Sequence, residues 1–229
     1  MLEIDWTGER FGLLHERAVY RPAQRALLIA DPHFGKAATF RTAGIPVPTG
    51  TTDTTLHRLD AALRKTDAHR LFILGDFFHS RAARNDKLHA QLQQWRMKWM
   101  QLNIVLIRGN HDAHAGDPPV ELDIECVDEP HRDSAIDLRH HPADATRNST
   151  RPSLAGHVHP RITLRDAGGS LSGPCFYFGQ REALLPAFGE FTGSHRISPE
   201  PGDRVFAIGP DAVLEVSALF GGRSQPSTT

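Results

Sequence analysis

Cysteine is almost missing from this 229-residue chain, which has only Cys126 and Cys175. Two thiols cannot build a disulfide framework or a thiolate cage around a metal. Excess charge of either sign is missing too, with 26 Lys and Arg against 27 Asp and Glu. No global basic field therefore recruits nucleic acid, and any such binding must come from a local patch. No apolar run approaches the roughly 20 residues that cross a bilayer. Met1-Leu2-Glu3-Ile4-Asp5-Trp6 lacks the basic start and apolar stretch of a signal peptide. No membrane partner is expected, and the cytoplasm is the expected compartment. Histidine, by contrast, is plentiful at 14 residues, so a metal site here would be built from nitrogen and oxygen ligands.

Three continuous apolar runs, Ala26–Ala30, Leu71–Leu74 and Ile104–Ile107, predict strands buried on both faces. The stretch from Lys36 to Thr52 carries Gly44, Pro46, Pro48 and Gly50 and is expected to be a long loop. A helix should follow it, capped by Thr51 or Thr52, with Leu56, Leu59 and Leu63 at helical spacing. Leu88, Leu92, Trp95, Trp99 and Leu102 step by four, three, four and three, which predicts an amphipathic helix whose tryptophans belong to the core. Strands alternating with helices imply parallel strands joined by crossovers. The second half changes character. Strand-like runs at 134–139, 153–155, 162–164, 175–178, 205–208 and 213–216 are separated by Gly and Pro, which predicts a second sheet.

Four short segments follow these runs: Asp31-Pro32-His33, Gly75-Asp76, Gly109-Asn110-His111-Asp112 and Gly156-His157-Val158-His159. Each should sit just beyond a strand end. The alternation in the last one predicts both imidazoles on one side of an extended segment. His140-His141-Pro142 adds a further imidazole. Carboxylate, amide and imidazole together suit a pair of divalent cations, and such a chain is most simply a metal-dependent hydrolase.

In type and order these segments resemble the calcineurin-like metallophosphoesterase superfamily, with its D-x-H, G-D, G-N-H-[DE], H and G-H-x-H blocks. The resemblance implies an α/β fold, a two-sheet sandwich flanked by helices. Residues 1–221 would form a single metallophosphoesterase domain and 222–229 a disordered tail. Carried over by position, Asp31, His33 and His159 would hold one metal, and Asn110, His140 and His157 the other, with Asp76 bridging. His140 is preferred to His141 because the family's ligand begins an H-x-P pattern. Manganese is the first candidate, with iron, zinc or nickel also accepted by this ligand set. A hydroxide bridging the two cations would attack phosphorus. His111 would face the substrate as acid or charge stabiliser, and Asp112 would hold its tautomer, with loop capping as a rival role.

A narrower resemblance runs from about Ala26 to about Val216. It rests on Asp31 through Arg41, Gly44-Ile45-Pro46-Val47-Pro48, Gly75 through Arg81, Leu185 through Gly189 and Phe191-Thr192-Gly193. These look like the PdeM family of ligase-associated bacterial phosphoesterases. The implied activity is a phosphodiesterase working as a DNA-repair endonuclease, with DNA as substrate and DNA ligase or helicase as partners by family context. Lys36, Arg41 and Arg81 would hold backbone phosphates, on loops that follow metal ligands. Alternatives are a phosphodiesterase for a cyclic nucleotide or small nucleotide diester, and a non-catalytic scaffold on the same fold.

Overall fold

The computed structural model describes residues 1–42, 44–143, 151–166 and 169–220. The tail expected over 222–229 lies outside the described residues. A seven-stranded sheet holds β1 (Leu2–Trp6), β2 (Glu9–Leu14), β3 (Ala18–Arg21), β4 (Ala26–Ala30), β5 (Arg70–Leu74), β6 (Asn103–Ile107) and β7 (Ile124–Val127) in sequence order. The first four pair antiparallel, and β4 through β7 pair parallel. The three expected apolar runs are its central strands.

Helices cover the outer face: α1 (Lys36–Thr42), α2 (Thr51–Lys65), α3 (Asp86–Lys98) and the short α4 (Asn110–Ala115). α1 corrects the expected loop over Lys36–Thr52. Its seven residues, Lys-Ala-Ala-Thr-Phe-Arg-Thr, contain neither Gly nor Pro, and the breakers begin only at Gly44. The expected Thr cap of α2 is also corrected: Gly50 takes that position at φ 82°, with no side-chain cap, and both threonines lie inside the helix. α3 ends before Leu102, with Trp99 at its C-cap. Trp95 is core and Trp99 packs half-buried against it; each donates an indole N–H to the same buried Asp60 Oδ1, at 2.8 Å.

The second sheet is built from β8 (His131–Asp133), β9 (Ile136–Arg139), β10 (Ser153–Ala155), β11 (Pro160–Asp166), β12 (Gly169–Phe178), β13 (Glu182–Leu184), β14 (His195–Arg196), β15 (Arg204–Ile208) and β16 (Val213–Glu215). The sheets stack, and strand alternation explains the unbroken apolar runs. Leu27 and Ile29 pack under the helices with Leu56, Leu59 and Trp95. Leu28 and Ala30 face the other way, onto Leu138, Leu154, Phe176 and Phe178 of the second sheet. A strand buried on both faces has no place for polar residues. The result is the expected two-sheet α/β sandwich, with β4, β5, β6, β9 and β10 all ending toward one region.

Candidate metal centre

Each of those five strand ends delivers a potential ligand. Asp31 and His33 follow β4, Asp76 follows β5, Asn110 follows β6, His140 follows β9, and His157 and His159 follow β10. The Gly-Asn-His-Asp segment opens helix α4 rather than forming a loop. Asp31, His33, Asp76, His157 and His159 all have positive φ, at 53°, 45°, 53°, 63° and 51°. A non-glycine residue in the left-handed region is strained by about 1–3 kcal/mol, and such strain clusters at functional sites. For His157 and His159 this overturns the expected extended segment. The left-handed turns send the two rings apart, His157 beside His140 and His141, and His159 beside Asp31 and His33.

The donor atoms converge. Asp31, His33 and His159 offer ligand atoms within 4.8 Å of one another, as do Asp31, Asp76 and His140. Asp76 lies between the groups, with Oδ2 3.7 Å from His33 Nε2 and Oδ1 3.5 Å from His140 Nε2. His140 Nε2 is 2.9 Å from Asn110 Oδ1 and 3.1 Å from His157 Nδ1. All seven expected ligands are thus brought together. His140 is fully buried and its Nδ1 sits 3.1 Å from Leu74 O, so a proton there leaves Nε2 free toward Asn110. His141 turns its Nδ1 to Glu129 Oε1 at 2.7 Å.

Three features fit this cluster to a cation. Asp31 Oδ1, His33 Nδ1 and His159 Nε2 are buried without a hydrogen-bond partner. Two carboxylates, Asp31 and Asp76, are 0% and 2% exposed, an expensive burial of negative charge unless something positive offsets it. Two of the imidazoles are held in the ligating form, whereas His159 goes the other way, burial lowering it but Asp31 raising it further. Burial holds His33 down at about 2, helped by the positive field of Lys36, and also lowers His157. Neutral rings carry the lone pair that a metal needs.

Hydrogen bonds lock the ligand loops to one another. Asp31 Oδ2 accepts from His157 N–H at 2.8 Å, and Asp76 Oδ1 accepts from His111 N–H at 2.9 Å. Asp112 does not reach His111. Its carboxylate accepts from Gly109 N–H and Asp76 N–H, both at 2.8 Å, and Phe77 N–H at 3.0 Å. The expected tautomer role therefore passes to a backbone group, since His111 Nδ1 lies 2.7 Å from His79 O. Asp112 is a loop clamp, and the capping rival is what the geometry shows.

Glycines hold the cradle open. A Cβ on Gly109, whose φ is an ordinary −101°, would fall 2.4 Å from Asp76 Oδ1, 2.8 Å from the Asp76 backbone nitrogen and 2.9 Å from His140 Cδ2, so the ligand loop must shift. Gly109→Ala should therefore leave the fold intact by circular dichroism but weaken metal binding about 10- to 100-fold, the scale of losing a ligand's support. Calorimetric metal titration checks this; unchanged affinity would mean that the cradle is not the binding site.

Of the expected phosphate contacts, only Lys36 joins the centre. Its ammonium is felt by His33, His79 and His159, and burial lowers its own pKa while Asp31 and Asp76 raise it. It lies on α1, not on a loop. Arg41 donates to Pro48 O at 2.9 Å, and exposed Arg81 opens a 3-10 turn; no contact ties either to a ligand. His79 was not among the expected residues. Its ring stacks on His111 at 5.3 Å, its buried Nδ1 has no partner, and burial drops it to about 4. Its place three residues after Asp76, on a loop leaving a buried strand, is the signal that identifies it.

A family model for calcineurin-like phosphoesterases matches residues 24–180. A nuclease MPE from Pseudomonas putida, known from its crystal structure, is 45% identical over 93% of this chain and 99% of its own, with a TM-score of 0.81. A protein of unknown function from Aquifex aeolicus is 20% identical over 63% of this chain and 81% of its own, at a TM-score of 0.35. Yfce, a phosphoesterase from E. coli, is 14% identical over 83% of this chain and 97% of its own, at 0.38. Neither of these last two superposes well enough to bear on the site. No curated protein matches. The family match takes in all five ligand-bearing strand ends, and the chain therefore belongs to the calcineurin-like phosphoesterase family as a metal-dependent phosphoesterase.

Proposed function

We propose that this protein is a dinuclear-metal phosphodiesterase that cuts DNA as an endonuclease in repair, working in the cytoplasm with manganese as the first candidate ion. The observation that carries the reading is the meeting of seven nitrogen and oxygen donors, five of them on strained left-handed backbone, around orphaned buried atoms. The nuclease neighbour at 45% identity supports the nucleic-acid substrate.

Asp31, His33 and His159 would hold one cation, and Asn110, His140 and His157 the other, with Asp76 shared. When bound, such a pair polarises a phosphoryl oxygen and makes a water acidic enough to serve as nucleophile near neutral pH. The chain's own side chains do the rest. Asn110 would ligate without adding charge, which would leave the cations their pull on phosphate. His111, with Nδ1–H turned to His79 O, presents Nε2 to the site; only as the imidazolium, protonated on both nitrogens, can it give a proton from Nε2 to a leaving oxygen, returning to the neutral Nδ1–H ring. His79, stacked on His111, and the ammonium of Lys36 place further donors at the edge where a diester must lie. Among the described residues no helix is long and apolar enough to cross a membrane.

The test is an activity panel of purified protein reconstituted with manganese, iron, zinc or nickel. Linear, nicked and single-stranded DNA are run beside cyclic nucleotides and bis-p-nitrophenyl phosphate. We expect metal-dependent cleavage of the small diester and of at least one DNA form, both abolished by chelator. Metal binding should also raise the melting temperature, by the equivalent of about 2.7 kcal/mol at a hundredfold excess over Kd. Turnover of small diesters with no cut in any DNA would replace the nuclease with a small-substrate phosphodiesterase.

A further inference from the structure

A recess opens beside His159, lined by that residue, Arg17, Pro160, Arg161, Pro174, Ala187 and the segment from Gly189 to Ser194, and encloses about 170 Å³. This is well below the roughly 300–1,000 Å³ of a pocket that holds a whole small ligand. It suits one flat group of a larger molecule whose reacting phosphate lies at the metals.

The segment is fastened to two ligand loops. Phe188 N–H donates to Ala30 O at 2.7 Å and Gly189 N–H to Asp31 O at 3.1 Å. A Cβ on Gly189 would fall 2.3 Å from Pro32 O, so backbone lies directly against backbone there. Farther along, Gly193 O faces His159 Nδ1 at 2.9 Å, and His195 N–H donates to His159 O at 3.1 Å. Arg58 secures the middle by donating to Phe188 O at 2.5 Å and pairing with Glu190.

Between these anchors stands Phe191, 43% exposed, at φ 56°, with its ring on no other aromatic among the described residues. Core packing does not account for a large apolar side chain placed in solvent on left-handed backbone. A rigidly presented ring beside a phosphate site does have a use, because every nucleobase offers a π face to stack on it. Arg161 lines the same recess and is exposed. It makes only long contacts, 3.4 Å to Ser194 Oγ and 3.5 Å to Ser172 O, and no carboxylate pairs with it among the described residues. Arg17 makes contacts of similar length, 3.5 Å to Ala187 O and 3.3 Å to Gly189 O, but differs in having a carboxylate partner, Glu190 at 3.9 Å.

We propose that Phe191 and Arg161 form a nucleotide subsite beside the metal centre, Phe191 stacking an unpaired base and Arg161 holding a backbone phosphate next to it. The subsite rests on the nucleic-acid reading above and supplies what separates a strand from a small diester. Phe191→Ala should lower kcat/KM on a single-stranded oligodeoxynucleotide about 5- to 100-fold, mainly through KM. It should keep hydrolysis of bis-p-nitrophenyl phosphate, which reaches only the metals. Phe191→Trp should restore strand cleavage. A 2-aminopurine base in the oligonucleotide should be quenched, before turnover, on mixing with the wild type and the Trp variant but not with the Ala variant. Arg161→Gln should reduce the salt slope of binding by about 0.7, the value of one single-strand phosphate contact.

Unchanged DNA kinetics and quenching in Phe191→Ala would overturn the subsite and leave the nuclease reading standing. Equal losses on DNA and the small diester would overturn it as well, assigning Phe191 to the fold. Wild-type protein that hydrolyses the small diester yet neither binds nor cuts DNA would remove the nuclease reading first and the subsite with it.

Discussion

Asp76→Ala should leave a folded protein that holds neither metal firmly and hydrolyses no phosphodiester at a useful rate. We expect kcat/KM to fall by more than the roughly 10²–10³-fold that loss of one electrostatic stabiliser costs. The reason is position. The carboxylate is 2% exposed and lies between the two donor groups, 3.7 Å from His33 Nε2 and 3.5 Å from His140 Nε2. Without it, two cations would face each other with one fewer negative charge between them, and both affinities should drop together. The alanine also frees His111 N–H from its 2.9 Å bond to Asp76 Oδ1. Asp76→Asn separates these effects, since an amide oxygen can still accept that bond while the charge is gone. Both variants should lose metal by elemental analysis. Two tightly bound ions in either variant would show that Asp76 does not bridge.

His111→Ala should behave in the opposite way, keeping both metals and losing turnover. General acid catalysis by histidine is worth about 10²–10⁴-fold, so DNA cleavage should fall within that range. Bis-p-nitrophenyl phosphate should suffer much less, because nitrophenolate leaves without needing a proton. His111 is about one-third exposed at the rim, its Nε2 3.9 Å from Asp76 Oδ2, and with His33 and His79 it also brings ligand atoms within 4.8 Å of one another, so metal content decides between acid and ligand. Its tautomer is set by His79 O, which no side-chain substitution removes. Asp112→Asn should accordingly loosen the Gly109 and Asp76 loops and weaken metal binding, without the selective loss on poor leaving groups. Loss of a metal from His111→Ala would make His111 a ligand.

Much of the frame was legible because it depends on residue type alone. Ala26–Ala30 can be apolar at every position only if both faces are buried, and the two sheets and helix layer supply those faces. The ligand segments could be found because polar residues directly after such strands have no packing use. What went unread depends on backbone angles and distant contacts. Leu2, Ile4 and Trp6 alternate with Glu3 and Asp5, yet their strand is completed only by pairing with Glu9–Leu14. Helix α1 hides ahead of Gly44 and the prolines that follow. The left-handed turns at His157 and His159 reverse an alternation that looks like a strand, and nothing in Gly-His-Val-His announces them. The Phe191–Arg161 recess joins residues 30 apart in sequence, from either side of β12, so no local pattern shows it.

The measurement that bears most directly on the metal centre is anomalous X-ray diffraction from crystals of the manganese-loaded protein. The ligand geometry predicts two peaks per chain, one among Asp31, His33 and His159 and one among Asn110, His140 and His157, with Asp76 touching both. A single fully occupied ion, or two ions held by other residues, would contradict it.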